Sequence, residues 1–185
     1  MLFRSRVDCL TEDLIDTMVD AGLKGVNIGI ESTDPNVIRN AKRGWIDPAR
    51  IERMVRHMHE RGVRVSGFFI IGLPGESRES IETTINFAKE LDCETIQVSL
   101  AHPYPGTEFY DHVVKNELIT LDSMTDEMGH QLPNIIYPGL DRGELVDSVE
   151  RFYSEYYFRP KAAWRIVKNA MFDANDRKQI GRAHV

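Results

Sequence analysis

Two cysteines are all this chain has, Cys9 and Cys93, and they form no Cys-x-x-Cys pair. Both read as small buried hydrophobes, Cys9 near a strand end and Cys93 in a turn before a strand. A disulfide between them is not expected in an intracellular setting. Long apolar runs are missing too: nothing in the sequence could cross a bilayer, and there is no signal-peptide pattern. A cytoplasmic location is therefore the expectation. Positive charge is in short supply. A net charge of −6 argues against a nucleic-acid surface, which needs a basic face to collect phosphates.

What is present is a rhythm. Gly29-Ile30-Glu31-Ser32, Gly72-Leu73-Pro74-Gly75-Glu76 and Pro103-Tyr104-Pro105-Gly106-Thr107 each stand where an apolar strand gives out and a helix start follows. Val26, Ile28 and Ile30 alternate into one strand. Residues 63–71 are a nearly continuous apolar run, as expected for a strand buried on both faces. Residues 95–100 form a third strand. Thr11, Asp34-Pro35, Asp47-Pro48 and Ser77 read as helix caps, with Gly22 and Gly62 as stops. Helices are predicted over 11–21, 108–116, 142–158 and Pro160–Phe172 and after the Asp47 and Ser77 caps. The order favours an α/β fold with a parallel sheet whose polar loops gather at one end, where such folds place their chemistry. Residues 122–137 are irregular, and the last two helices read as an extension packed on the sheet.

Glu31 ends the strand of Val26, Ile28 and Ile30, so its carboxylate should sit at the sheet mouth, either on a ligand's ammonium or hydroxyl groups or as a polar plug paired with an arginine or backbone amides. Arg43, in Lys42-Arg43-Gly44, is a solvated helix-end cation unless it is tied to Glu31 as a carboxylate clamp. The Gly72–Glu76 turn is not a phosphate loop, because it lacks the Gly-Lys-Ser/Thr ending. Glu76 suits the dipole of the helix that follows. His102 reads as a loop histidine. His57, His59, His112 and His130 show no metal-ligand spacing, so no metal site is expected, and no catalytic residue can be named. The helix Pro160–Phe172 mixes apolar and basic residues. It reads as a docking helix, with a peripheral membrane contact as the alternative.

Taken together and in order, the three loops resemble the C-terminal half of a radical S-adenosylmethionine (SAM) core domain. Gly29-Ile30-Glu31-Ser32 resembles its fourth-strand motif, Phe68-Phe69-Ile70-Ile71-Gly72-Leu73-Pro74-Gly75-Glu76 its fifth, and Ser99-Leu100-Ala101 through Gly106-Thr107 its sixth. The resemblance implies half of a partial (β/α)6 TIM-type barrel over residues 6–118, with a C-terminal helical extension over 119–178. It implies SAM contacts from Glu31 and Ser32, from Arg43 twelve residues after Glu31, and from Ile70 and Ala101 beside the adenine. Phe68 departs from the family, which often has a polar residue there. The extension, through His130-Gln131-Leu132, Ile136-Tyr137-Pro138, Ser148-Val149-Glu150-Arg151-Phe152-Tyr153 and Tyr157-Phe158-Arg159-Pro160, resembles hopanoid-biosynthesis-associated radical SAM proteins. That implies a small-molecule or lipid substrate and a reductant protein. Cobalamin is used by relatives in the wider class, and nothing here supports it.

The family's Cys-x-x-x-Cys-x-x-Cys, which holds a [4Fe-4S] cluster, is not in this chain. The expectation is a piece of a radical SAM enzyme that is inactive alone, since only thiolates could hold the cluster. Residues 1–5 and 179–185 match the translation of a common sequencing-library adapter and are expected to be artefacts, with no functional role. Two rivals stand beside this reading. A non-radical TIM-barrel lyase would need a Schiff-base lysine or metal ligands at strand ends, and a non-catalytic binding module would use the loops only as structure.

Overall fold

A computed structural model describes residues 2–41, 44–119 and 135–172. Four parallel strands, β1 (Leu2–Arg6), β2 (Gly25–Glu31), β3 (Arg64–Ile71) and β4 (Thr95–Leu100), lie in the order β1-β2-β3-β4. Parallel neighbours need crossovers. These are supplied by α1 (Glu12–Asp20) after β1, by α2 (Pro35–Asn40) and α3 (Pro48–Glu60) after β2, and by α4 (Arg78–Leu91) after β3. Helices α5 (Glu108–Lys115), α6 (Arg142–Tyr157) and α7 (Pro160–Phe172) follow β4 among the described residues. The caps act as their residue types dictate. Thr11 accepts from the Leu14 amide at 3.2 Å, Asp34 from Asn36 and Val37 at 2.8 and 3.1 Å, and Asp47 from Ala49 at 3.1 Å. Residues 2–5, expected to be artefact, form part of β1 and pair in register with β2 from Leu2↔Gly25 to Arg6↔Gly29; residues 179–185 lie outside the described residues.

The two faces of the sheet differ. Val26, Ile28, Ile30, Val65, Phe69, Ile71, Ile96 and Val98 are buried in one core with Ile15 of α1, Met58 of α3, Ile85 of α4 and Phe152 and Tyr156 of α6. Each such side chain contributes roughly 1.5–3 kcal/mol by leaving water. The opposite face, with Asn27, Ser66, Phe68, Ile70, Gln97 and Ser99, is half-buried or exposed. The 63–71 run is therefore not buried on both faces. Its apolar residues alternate between the helix-covered core and the concave side, which four strands leave open. Phe68 finds a partner there: Gly29 opposite it has no side chain, and the Arg4 guanidinium reaches across to 5.3 Å from the Phe68 ring centre.

The outer edge of β4 is filled by side chains. The Tyr157 hydroxyl accepts from the Ile96 amide at 3.0 Å and donates to the Ile96 carbonyl at 3.5 Å; Tyr153 does the same for Val98 at 2.8 and 3.4 Å. Four helical residues rise about 6 Å, and two strand residues about 6.6 Å. The i, i+4 tyrosines therefore match alternate strand residues, and their rings stack 4° from parallel. Helix α7 is anchored at its first turns. Asp92, the left-handed C-cap of α4, takes Arg159 at 3.0 Å, Lys161 at 2.8 Å and Arg165 at 3.0 Å. Burial pushes the Asp92 carboxyl up, but Lys161 and Arg165 outweigh it and hold it below the ordinary carboxylate range.

The cysteine expectation divides. Cys93 is buried, whereas Cys9 is exposed in a short 3-10 turn, Val7–Cys9, where Val7 rather than Cys9 faces the core.

Candidate functional site

All four strands point their C-terminal ends to one edge, and the three loops of interest meet there. At the end of β2 the register slips between Gly29 and Glu31, and Glu31 is driven to φ +68°. A side chain in this left-handed region costs about 1–2 kcal/mol, and strain of this kind clusters at ligand sites. Glu31 lines a small cavity with Arg6, Gly29, Ser32, Ile38 and Gly44, about 20 Å³ in volume, close to the room one water needs. Arg6 stands at the end of β1 and is held by Asp8 through two contacts, Nε–Oδ1 at 3.0 Å and Nη2–Oδ2 at 2.8 Å. The charge of Glu31 acts on Arg6 as well. A carboxylate and a clamped guanidinium therefore share one cavity wall.

Ser32, expected to face a ligand, is buried, and its hydroxyl is already engaged. It accepts from the Asp34 amide at 3.3 Å and lies 3.5 Å from the Thr84 hydroxyl. Its work in this structure is to set the entry into α2. Arg43 lies outside the described residues. Ile70 and Ala101 do come together: with Val37, Ile38 and Leu73 they form a second apolar cluster, separate from the main core and seated at the mouth.

The turn after β3 is the most heavily constrained part of the mouth. Gly72 sits at φ +84°, where only glycine is unstrained. Its amide donates to Glu76 Oε2 at 3.2 Å, and its carbonyl accepts from the Tyr137 hydroxyl at 3.0 Å. Glu76 is not a surface partner of the helix dipole. It is buried under the turn and also takes the Ser80 hydroxyl, while Ser77 caps α4. Burial, with some help from the charge of Asp34, raises its pKa to about 7 against the pull of the Ser80 and Gly72 hydrogen bonds. In the last loop Thr107 caps α5 and donates to the Tyr104 carbonyl at 2.7 Å, and the Tyr104 ring meets His102 edge-on at 5.0 Å. His57 and His59 end on carboxylates from other elements, 2.8 Å from Asp16 and 3.3 Å from Glu94. His130 lies outside the described residues.

Arg6, Glu76 and Tyr137 are the mouth residues that sequence reasoning missed or placed wrongly. The signal for Tyr137 is its Tyr-Pro-Gly turn; for Arg6 it is an arginine ending an edge strand. Chemically, one acid and one base on a cavity beside an apolar shelf suit a zwitterionic head carrying a flat body.

A family model for the radical SAM superfamily matches residues 3–88. Over that stretch the chain is similar to the radical SAM superfamily. An uncharacterized methyltransferase of Pyrococcus horikoshii is 37% identical over 115 residues, which is 62% of this chain and 25% of that protein. Cytidylyl-2-hydroxyethylphosphonate methyltransferase of Streptomyces wedmorensis is 25% identical over 162 residues, 84% of this chain and 30% of that protein. The fold is shared with the radical SAM methyltransferase TsrM of Kitasatospora setae, solved with tryptophan and a SAM analogue, at TM-score 0.67 and 21% identity over 86% of this chain and 36% of that one. The chain thus spans about a quarter to a third of the proteins it resembles. Radical SAM proteins are enzymes that use SAM and a [4Fe-4S] cluster.

The described residues set an acid, a cation and an apolar shelf at the mouth, and they offer a cluster no ligand set. Among the described residues no three His, Cys, Asp or Glu side chains could hold a metal. Cys93 precedes β4, at the end of the sheet away from the mouth, and burial pushes its thiol up to about 12, which disfavours the thiolate a cluster requires.

Proposed function

We propose that this chain supplies the SAM-binding half of a radical SAM enzyme of the methyl-transferring kind, with Glu31 holding the methionine ammonium. Arg6 and Arg43 stand as the cations for the methionine carboxylate, and Ile70 and Ala101 as the apolar shelf for the adenine. The strained backbone of Glu31, on a cavity wall shared with Arg6, carries this reading. The methyl-transfer class rests on the names of the relatives. Cobalamin belongs to the same proposal, because the TsrM structure was also solved with cobalamin and a [4Fe-4S] cluster.

A hopanoid-type lipid substrate rests on the extension's resemblance alone. The exposed Phe158, Trp164, Val167 and Met171 on and before α7 favour an apolar contact. Arg159, Lys161 and Arg165, three of the cations that would meet anionic lipid, are turned onto Asp92. No helix among the described residues is long and apolar enough to cross a membrane.

The test is a titration of the chain with SAM, followed by methyl NMR at Ile70 and Ala101. Saturable shifts are expected. Glu31→Gln should weaken binding about 10- to 100-fold, the worth of a charged hydrogen bond. Absence of any SAM-dependent shift in the unsubstituted chain refutes the reading.

A further inference from the structure

We infer that Tyr137 is a positioning residue for the SAM site: it fixes the turn on which Ile70, Leu73 and Ala101 meet, and so ties the C-terminal extension to cofactor affinity. The inference rests on the SAM reading of the mouth.

Three observations carry it. First, three of the backbone polar groups around Gly72 are committed. The Ile71 carbonyl accepts from the Ala101 amide at 2.7 Å, the Gly72 amide donates to Glu76 at 3.2 Å, and the Gly72 carbonyl accepts from Tyr137 at 3.0 Å. Tyr137 is the one member of this set that comes from the extension. Second, its hydroxyl is delivered by a rigid strap. Tyr137 and Leu140 exchange backbone hydrogen bonds at 3.1 and 3.0 Å across a Pro138-Gly139 turn, with Gly139 at φ +79°. The strap is clipped to the end of α5 by the Ile119↔Ile135 bridge and by the Ile136 amide on the Leu118 carbonyl at 2.8 Å. Ile135, Tyr137 and Leu140 are buried in the main core. A donor held this way is organised before any ligand arrives. Third, the turn it holds adjoins the shelf. A Cβ built on Gly72 would lie 3.9 Å from Ala101, and Leu73, the next residue, belongs to the mouth cluster with Ile70 and Ala101.

Removing the hydroxyl leaves a buried carbonyl without its donor, and the turn must shift to regain one. Tyr137→Phe keeps the ring and its burial, so the perturbation is confined to that bond. Tyr153→Phe is the control: it also deletes a phenol hydroxyl bonded to backbone, but on the far edge of β4.

The experiment titrates SAM into the unsubstituted chain, Tyr137→Phe and Tyr153→Phe, reading the Ile70 and Ala101 methyl signals together with hydrogen exchange at Gly72 and Ala101. Tyr137→Phe should raise the SAM dissociation constant about 3- to 10-fold, the worth of one neutral hydrogen bond, and speed exchange at both amides. Tyr153→Phe should leave the SAM dissociation constant unchanged and speed exchange at these two amides no more than across the rest of the sheet. If Tyr137→Phe binds SAM as the unsubstituted chain does, this inference is wrong and the SAM reading stands. Equal weakening in both variants would make the effect general destabilisation and overturn the inference as well. If the unsubstituted chain itself shows no SAM-dependent shift, the SAM reading falls and takes this inference with it.

Discussion

Glu76 should make the protein less stable as pH rises toward neutrality. Its pKa is ordinarily 4.5 and is raised to about 7 in the fold, chiefly by burial. The native state therefore holds this proton more tightly than the unfolded chain. Its contribution to stability is fully present below pH 4.5, is lost progressively up to about pH 7, and is flat above that. The difference of about 2.5 pKa units corresponds to about 3 kcal/mol, a large share of the 5–15 kcal/mol typical of a domain. Glu76→Gln replaces the acid by a neutral amide of the same shape. One end can accept from the Gly72 amide, and the other can donate to Ser80.

The assay is urea unfolding of both proteins from about pH 4.5 to about pH 8, read as the difference between their free energies. Groups common to both chains, including the Glu94–His59 and Asp92 clusters, largely cancel in that difference. The curve should start near zero and rise in favour of Glu76→Gln by up to about 3 kcal/mol, with its midpoint between the two pKa values. A flat difference curve would mean that Glu76 titrates normally and that its burial under the Gly72 turn is wrong. A Glu76→Gln protein less stable at every pH would mean that the ionised carboxylate is what the turn requires.

Three further outcomes follow from the geometry. Tyr153→Phe and Tyr157→Phe should each cost about 1 kcal/mol in urea unfolding by stripping hydrogen bonds from β4; the double variant should self-associate in light scattering as the strand edge is freed, and a stable monomer would refute the edge-filling role. Glu117 stands at φ +55° in a Schellman ending of α5, with its amide on the Val114 carbonyl and the Leu118 amide on Val113; Glu117→Gly should stabilise by up to about 1 kcal/mol, and a loss of stability would contradict the left-handed assignment. Anaerobic reconstitution of the chain with iron and sulfide should leave no stoichiometric cluster by absorbance and metal analysis; tight stoichiometric iron would overturn the statement that its residues cannot ligate one.

The parts of this fold written in short stretches of sequence were legible. Thr11, Asp34-Pro35, Asp47-Pro48 and Ser77 cap helices because a side-chain oxygen beside free amides is a local arrangement, independent of what the helix later packs against. The run 63–71 showed a strand but not its faces, since an apolar residue suits the helix-covered core and the open concave side equally well. Glu76 illustrates the limit more sharply. An acid before a helix looks the same whether it faces solvent or is pressed under a turn, and the strap carrying Tyr137, some sixty residues later in the chain, is part of what covers it. Glu31 stands at the C-terminal end of β2, where the end of an apolar strand puts it, whereas its left-handed backbone comes from a register slip that no local pattern announces.

Tyrosine is the side chain by which the extension repeatedly meets the backbone of the sheet. Of the six tyrosines in the sequence, four lie in the extension, and each reaches a backbone group of β3, β4 or the turns beside them: Tyr137 on Gly72, Tyr153 on Val98, Tyr156 on Cys93 and Tyr157 on Ile96. Tyrosine suits this task because its ring contributes buried apolar area while its hydroxyl can serve as donor and acceptor at once. Phenylalanine would bury as well but leave amides and carbonyls unpaired; a lysine would satisfy only the carbonyls and a glutamate only the amides, each at the cost of burying charge. The consequence is directional. With the Ile96 and Val98 amides and carbonyls occupied, a further strand can join this sheet only beside β1, so barrel growth is confined to one side while the other is sealed by α6. The same set of phenols places one of its members, Tyr137, on the turn that shapes the mouth, so the extension that ends the sheet also holds the loop where its chemistry is expected.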